Sequence, residues 1–176
     1  YYRDDSDIDI EDIVEFKSQG SAEGDMETIK NTADNTLKSV EPAVGTFLSR
    51  HIASITNIPI QYMGQTTEGK YIDIDTEYGD TVTHEIGHVF QDLLGIGVSG
   101  RGRHNDSESH PDNWTSGLRK NRQASEFGEE FMNDMEEFWN NAVEMKKETY
   151  GDPFAMDEIS SYQWEDGSEF ICEMFS

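Results

Sequence analysis

The stretch TVTHEIGHVFQDLL, at residues 81–94, constrains the fold more than any other part of the chain. His84 and His88 are four residues apart, so on a helix both imidazoles lie on one face, one turn apart. Apolar residues recur in the same stretch at helical spacing, namely Val82, Ile86, Val89, Phe90 and Leu93. The pattern therefore predicts an amphipathic helix over residues 78–94 that presents two histidines together.

Two neutral imidazoles in this arrangement can bind one Zn²⁺ ion at about 2.0–2.1 Å each. Glu85 follows His84 directly and flanks the same site, where it is placed to accept a proton from the attacking water rather than to ligate the metal. The alternative is a surface helix on which three polar residues lie together by chance. Because two buried histidines without partners would be costly, the apolar side of the helix favours the metal site.

A catalytic zinc ion usually takes three protein ligands and keeps one position for water. The third ligand is not on the same segment in the metzincin manner, since Gln91 and Leu94 stand where that pattern requires Gly and His. His104 and His110, in the loop that follows, are candidates. A carboxylate on a later helix is the other candidate.

The segment DGSEFICEMF, at residues 166–175, has two glutamates four residues apart on an otherwise apolar helix. A carboxylate pair on a buried face needs a positively charged partner, and zinc with its histidines is such a partner. We therefore assign Glu169 as the third ligand and Glu173 as the acceptor of a ligand imidazole N–H, which orients that ring. The alternative is an exposed acidic face in a chain with many acidic residues.

The rest of the sequence predicts an α+β domain. Helical periodicity covers residues 26–55, where Pro42 breaks the pattern or starts a second helix. A further long helix is predicted at residues 123–148. Short strands are predicted at residues 13–16, 58–63 and 70–76. In the last strand Ile72 and Ile74 alternate with aspartates, which indicates one buried face.

The net charge of −24 comes from 37 acidic residues against 13 Lys and Arg. This charge argues against a nucleic-acid partner, because phosphate would be repelled. It suits a basic substrate, but a solvated surface, as in a high-salt environment, explains it more simply. We expect no membrane association, because no apolar run is long enough to span a bilayer. The single cysteine, Cys172, excludes an internal disulfide and lies among apolar neighbours, which predicts a core position.

The length of 176 residues fits one domain, 1–176. Residues 1–12 are acidic and predict a solvated arm, and residues 95–121 are rich in Gly, Ser, Asn and His, as in a long loop. The chain begins at Tyr1 and stops within an apolar-periodic stretch. We therefore expect a fragment of a longer polypeptide or a component of a larger particle.

HEIGH, together with SYQWEDGSEFICEMF at residues 161–175, resembles the catalytic domains of the anthrax lethal factor family, which includes secreted Pro-Pro endopeptidases. These gluzincins have an H-E-x-x-H helix, a glutamate ligand on a later helix and a tyrosine seven residues before that glutamate. Here Tyr162 stands seven residues before Glu169, and the segment from Glu169 fits the family pattern E-[FY]-x-x-E-x-F.

The resemblance implies a zincin-like fold, with a small mixed sheet packed on the H-E-x-x-H helix and a C-terminal helix that carries the glutamate ligand. It implies zinc ligation by His84, His88 and Glu169, with Glu85 as general base. Tyr162 would stabilise the oxyanion or protonate the leaving amine.

The separation of the two ligand helices is larger than is usual in the family, so residues 95–150 are interpreted as an insertion. By analogy with zincins, the strand at residues 70–76 is expected to form the sheet edge along which an extended peptide pairs.

We therefore expect a zinc metalloendopeptidase that hydrolyses a protein or peptide substrate. The alternative is a structural or virion-associated domain that keeps the zincin fold and binds a partner without proteolysis. Glu85 and Tyr162 favour catalysis, because a purely structural zinc site needs neither. A toxin module delivered into a host is a variant of the first hypothesis. A secreted, host-delivered or virion-associated protein is favoured over a cytoplasmic one.

Overall fold

The computed structural model describes residues 9–20, 26–60, 63–75, 79, 81–94, 130, 133–138, 140–141 and 167–173. Over these residues the protein is α+β, with a four-stranded mixed sheet and helices. The chain divides into two compact units, Tyr1–Phe90 and Gln91–Ser176. The predicted α+β class is therefore confirmed for the described part of the chain.

The sheet lies in the first unit, with three helices that follow or connect its strands. The strands are β1 (Glu15–Ser18), β2 (Ser54–Asn57), β3 (Gly64–Thr67) and β4 (Tyr71–Ile74). The helices are α1 (Met26–Ser39), α2 (Pro42–His51) and α3 (Thr81–Leu94), and the last turn of α3 enters the second unit. In the second unit, α4 spans Gly167–Glu173, and the described residues between 130 and 141 are helical.

The order of the strands is β1-β2-β4-β3. β1, β2 and β4 are parallel, and β3 runs antiparallel to β4. Ile72 of β4 is therefore paired on both sides, with Ile55 of β2 and Thr66 of β3. The expectation that the strand at residues 70–76 is a sheet edge is wrong, because β3 pairs with β4 along its other side.

Two further predictions need correction. The strand expected at residues 58–63 is absent over 58–60, and β3 begins at Gly64 instead. Residues 54 and 55, the end of the stretch predicted as helix, belong to the fully buried strand β2. The apolar spacing that ends α2 continues into β2, and a run this short does not distinguish a helical turn from a buried strand.

Helices α1 and α2 are separated by a short break at which Pro42 starts the second helix, one of the two predicted outcomes. The Glu41 carboxylate caps α2, accepting hydrogen bonds from the backbone N–H groups of Ala43 (3.0 Å) and Val44 (3.2 Å). At Gly45 a Cβ atom would lie 2.2 Å from the carbonyl oxygen of Leu37. The two helices therefore meet through their backbones, and only glycine fits there.

The β3–β4 hairpin turns at Glu68 and Gly69, both with positive φ (53° and 62°). The Lys70 N–H donates to the carbonyl oxygen of Thr67 across the turn, at 3.2 Å. This turn sets which residues of β3 face inward. Gly64 and Thr66 are half-buried, whereas Gln65 and Thr67, which alternate with them, are exposed.

Apolar residues from α1, α2, α3, β2 and β4 form most of the core of the first unit. Fully buried members are Ile29, Ala33, Leu48, Ile52, Ile55, Ile72, Ile74, Val82, Ile86 and Val89. Within the described ranges, no helix has both the length and the apolar character needed to cross a membrane.

Candidate metal centre

Helix α3 carries the predicted motif and is enclosed by protein where the motif lies. Four successive residues, from His84 to Gly87, are all buried. At about 100° of rotation per residue they point in four directions around the axis, so no side of this turn faces open solvent. The alternative of an exposed surface helix is excluded for these residues, since His84 keeps 7% of its surface accessible and Glu85 only 4%.

The two histidines lie one turn apart on α3, as their spacing predicts. Their ring centroids are 5.1 Å apart and the ring planes meet at 79°. His84 is buried and His88 is half-buried. A ring nitrogen of one lies within 4.8 Å of a ring nitrogen of the other, so a modest side-chain rotation brings both within the reach of one cation.

Glu85 lies between the histidines in sequence, and strand β3 holds its carboxylate. The Thr66 hydroxyl donates a hydrogen bond of 2.6 Å to Oε2 of Glu85 and lies 3.1 Å from the backbone oxygen of the same residue. Oε1 lies beside Gly64, where a Cβ atom would approach it to 2.7 Å. The carboxylate is thus an interior group with its own donor, unlike the solvated acids of the surface.

Gly64 and Thr66 were missed by the sequence reasoning. The strand GQTT has no apolar alternation and is only four residues long, so periodicity gave no signal for it. The glycine and the two threonines fit either a loop or an edge strand. Only the packing of β3 against α3 shows their role.

In the second unit, the last turn of α3 meets α4 through a buried polar contact. The Gln91 amide Nε2 donates to Sγ of Cys172 at 3.3 Å, and both residues are fully buried. The predicted core position of Cys172 is confirmed. Glu169 and Glu173 are half-buried on α4. Glu169 and Glu173 are four residues apart and so lie on one side of α4, and Cys172 follows Glu169 by three residues.

Among the described residues, His84, His88 and Cys172 form a group that could hold a metal ion. Two imidazoles and a thiol are donors that suit zinc and other borderline or soft cations. The chemistry of the site therefore fits a bound divalent ion.

Three predicted candidates lie outside the described residues: His104, His110 and Tyr162. Most of the predicted insertion at residues 95–150 and most of the acidic arm at 1–12 lie outside them too. In the first unit, the described part of the site consists of the motif of α3 and the face of β3 that contacts it.

Comparisons were made with protein-family models, with curated proteins and with solved structures. The chain matches no family model, and neither of the other two comparisons finds a similar protein. The resemblance to lethal factor-like peptidases thus rests on the two sequence motifs.

Proposed function

We propose that the protein is a zinc-dependent metalloendopeptidase with a zincin-like fold. The observation that carries the proposal is the interior carboxylate of Glu85, which lies in the same enclosed helical turn as His84 and one turn from His88. A structural zinc site can use two histidines as ligands, but it has no use for a buried glutamate between them. A hydrolytic site needs such a base beside its metal ligands.

In this proposal His84, His88 and Glu169 would hold the ion. A bound Zn²⁺ would polarise the scissile carbonyl and make a water molecule more acidic. Glu85 takes the proton of the attacking water and delivers it to the leaving amine. Tyr162 donates a hydrogen bond to the oxygen on which negative charge develops. Glu173 accepts the N–H of a ligand imidazole and keeps that ring oriented.

The architecture of the first unit supports the proposal. A mixed sheet with one antiparallel edge strand, β3, packs beside the H-E-x-x-H helix, in keeping with the fold that the motifs imply. The proposed substrate is a protein or peptide.

Cys172 and Glu169, both on α4, are alternative candidates for the third metal ligand. The grouping with both histidines favours the thiol, whereas the family pattern around Tyr162 favours the carboxylate. We assign Glu169, because it stands seven residues after Tyr162 and begins the segment that fits the family pattern.

The proposal is tested by measuring zinc content and peptide cleavage together. The wild type, purified with zinc, is expected to hold one ion per chain and to cleave a mixed-sequence library of quenched fluorescent peptides. Glu85→Gln is expected to keep the ion and to lose cleavage, because an amide cannot take up the proton. Glu27→Gln, an exposed position on α1, is the matched control and should cleave normally.

Two results would contradict the proposal in different ways. A wild type that holds zinc but cleaves no peptide would favour the partner-binding alternative. Cleavage that survives Glu85→Gln would remove Glu85 from the mechanism and leave the enzyme without its proposed base.

A further inference from the structure

We propose that the edge strand β3 is a positioning element for the general base, in which Gly64 and Thr66 together hold the Glu85 carboxylate in one orientation. This inference rests on the proposed function for its catalytic consequence. The contact itself is a property of the first unit and is testable without catalysis.

Thr66 supplies a directed hydrogen bond. Its hydroxyl has a single proton, and two acceptors on Glu85 lie near it, Oε2 at 2.6 Å and the backbone oxygen at 3.1 Å. The shorter distance is typical of a hydroxyl donating to an ionised carboxylate, which is the stronger of the two interactions. The proton of Thr66 is therefore directed at Oε2.

Gly64 supplies the space for the other oxygen. A Cβ atom at this position would lie 2.7 Å from Oε1 and 3.0 Å from Cγ of Glu85, and also 3.0 Å from Cγ2 of Thr81. Because Thr81 closes the other side, an added methyl group would push the carboxylate out of its place. Gly64 and Thr66 are two residues apart, so both face α3 from the same side of the strand.

The two contacts give the carboxylate oxygens different tasks. Oε2 is tied to a donor, so Oε1 is the atom that the geometry assigns to accept the proton. A glutamate has three rotatable side-chain bonds, and a general base works only within hydrogen-bond reach of the proton that it takes. A displacement of about 1 Å in such a group can lower the rate about 100-fold.

The catalytic consequence is tested with substitutions on the two faces of β3, using a quenched fluorescent peptide that the wild type cleaves. Thr66→Val keeps the shape and removes the hydroxyl, and we expect kcat to fall by about 10- to 100-fold with KM and zinc content unchanged. Thr66→Ser keeps the hydroxyl and should restore kcat to within a few-fold. Thr67→Val makes the same change on the exposed face and should leave kcat unaltered.

Gly64→Ala should lower kcat in the same manner, because it displaces the same carboxylate. If Thr66→Val cleaves as well as the wild type, the positioning role is overturned while the peptidase assignment stands. A fall in kcat that Thr66→Ser does not reverse would also overturn it, because the hydroxyl would then not be the relevant group.

A double-mutant cycle tests the contact without any substrate. Thermal midpoints are measured for the zinc-loaded wild type, Thr66→Val, Glu85→Ala and the double variant. We expect Thr66→Val to lower the midpoint in the wild type and to have less than half that effect once Glu85 is removed. Additive effects would overturn the inference even if no peptide is cleaved, so its failure and that of the proposed function are distinguishable.

Discussion

Glu85 is a buried acidic residue in a chain with 37 acidic residues, and carboxylates are normally exposed to water. Burial of a carboxylate is costly unless hydrogen bonds or a cation compensate for the lost hydration. The Thr66 hydroxyl supplies part of that compensation, and a metal held by the adjacent histidines would supply the rest. Thr66 and the two histidines would thus both stabilise the buried carboxylate of Glu85 and place it for its proposed role as a base.

The competition between two donors on α4 leads to a prediction about zinc affinity. Glu169→Gln should weaken zinc binding by at least about 100-fold, more than a change outside the ligand shell, and Cys172→Ala should retain the ion. Competition with a chromogenic chelator measures both. Glu173→Gln, at the proposed orienting position, is the control and should show an intermediate loss. Zinc lost by Cys172→Ala but kept by Glu169→Gln would make the thiol the ligand.

At the residue scale, the sequence predicted the members of the motif but not the neighbours that hold them. The shared face of His84 and His88 follows from their spacing, because a helix places residues four apart on one face, and Glu85 follows from its place in the motif. Thr66 could not be predicted, since its contact depends on how a polar strand packs against α3. Spacing within one element is visible in a sequence, and contacts between elements are not.

At the scale of the element, the meeting of α1 and α2 depends on a single glycine. Gly45→Ala should destabilise the protein by about 1–3 kcal/mol, because its Cβ would lie 2.2 Å from the rigid carbonyl oxygen of Leu37. The free energy of unfolding in urea measures the loss. Gly79→Ala, where the nearest atoms are side-chain carbons at 3.5 and 3.6 Å, is the control and should have a smaller effect. If both substitutions lowered the free energy of unfolding equally, the close contact between α1 and α2 at Gly45 would not limit stability.

The long helices and the strand β4 were predictable, but the strands β2 and β3 were not. α1 buries Ile29, Ala33 and Leu37 at helical spacing over 14 residues, which gives periodicity enough turns to be recognised. Each strand of the sheet has only four residues. At that length β2 resembles the end of a helix and β3 resembles a loop, so their identity comes from pairing across the sheet.

At the scale of the whole molecule, the net charge of −24 makes self-repulsion a measurable part of stability. Raising NaCl from about 20 to 500 mM shortens the range of electrostatic repulsion to a few ångström. We expect the thermal midpoint of unfolding to rise over this range. Potassium chloride at equal ionic strength is the control for ion-specific binding and should act alike. A midpoint that falls with salt would show that attractive ion pairs outweigh the repulsion.

The class of the fold followed from the sequence, whereas its connectivity did not. Helical periodicity alternating with short β-rich runs predicts an α+β protein, and the described residues confirm it. The position of β4 inside the sheet was not predictable, because the partner that covers it is the polar strand β3. The motif helix could be recognised without that knowledge.

The length of the β3–β4 turn limits which insertions and deletions this chain can accept. Neighbouring residues in a strand point to opposite faces, so sliding β3 by one position against β4 would bring Gln65 and Thr67 inward in place of Gly64 and Thr66. The turn at Glu68 and Gly69 sets that alignment. Residues at the tip can therefore be replaced by others that tolerate positive φ, such as Gly and Asn. A single insertion or deletion there would instead place Gln65 beside the Glu85 carboxylate, where its side chain is too large to fit.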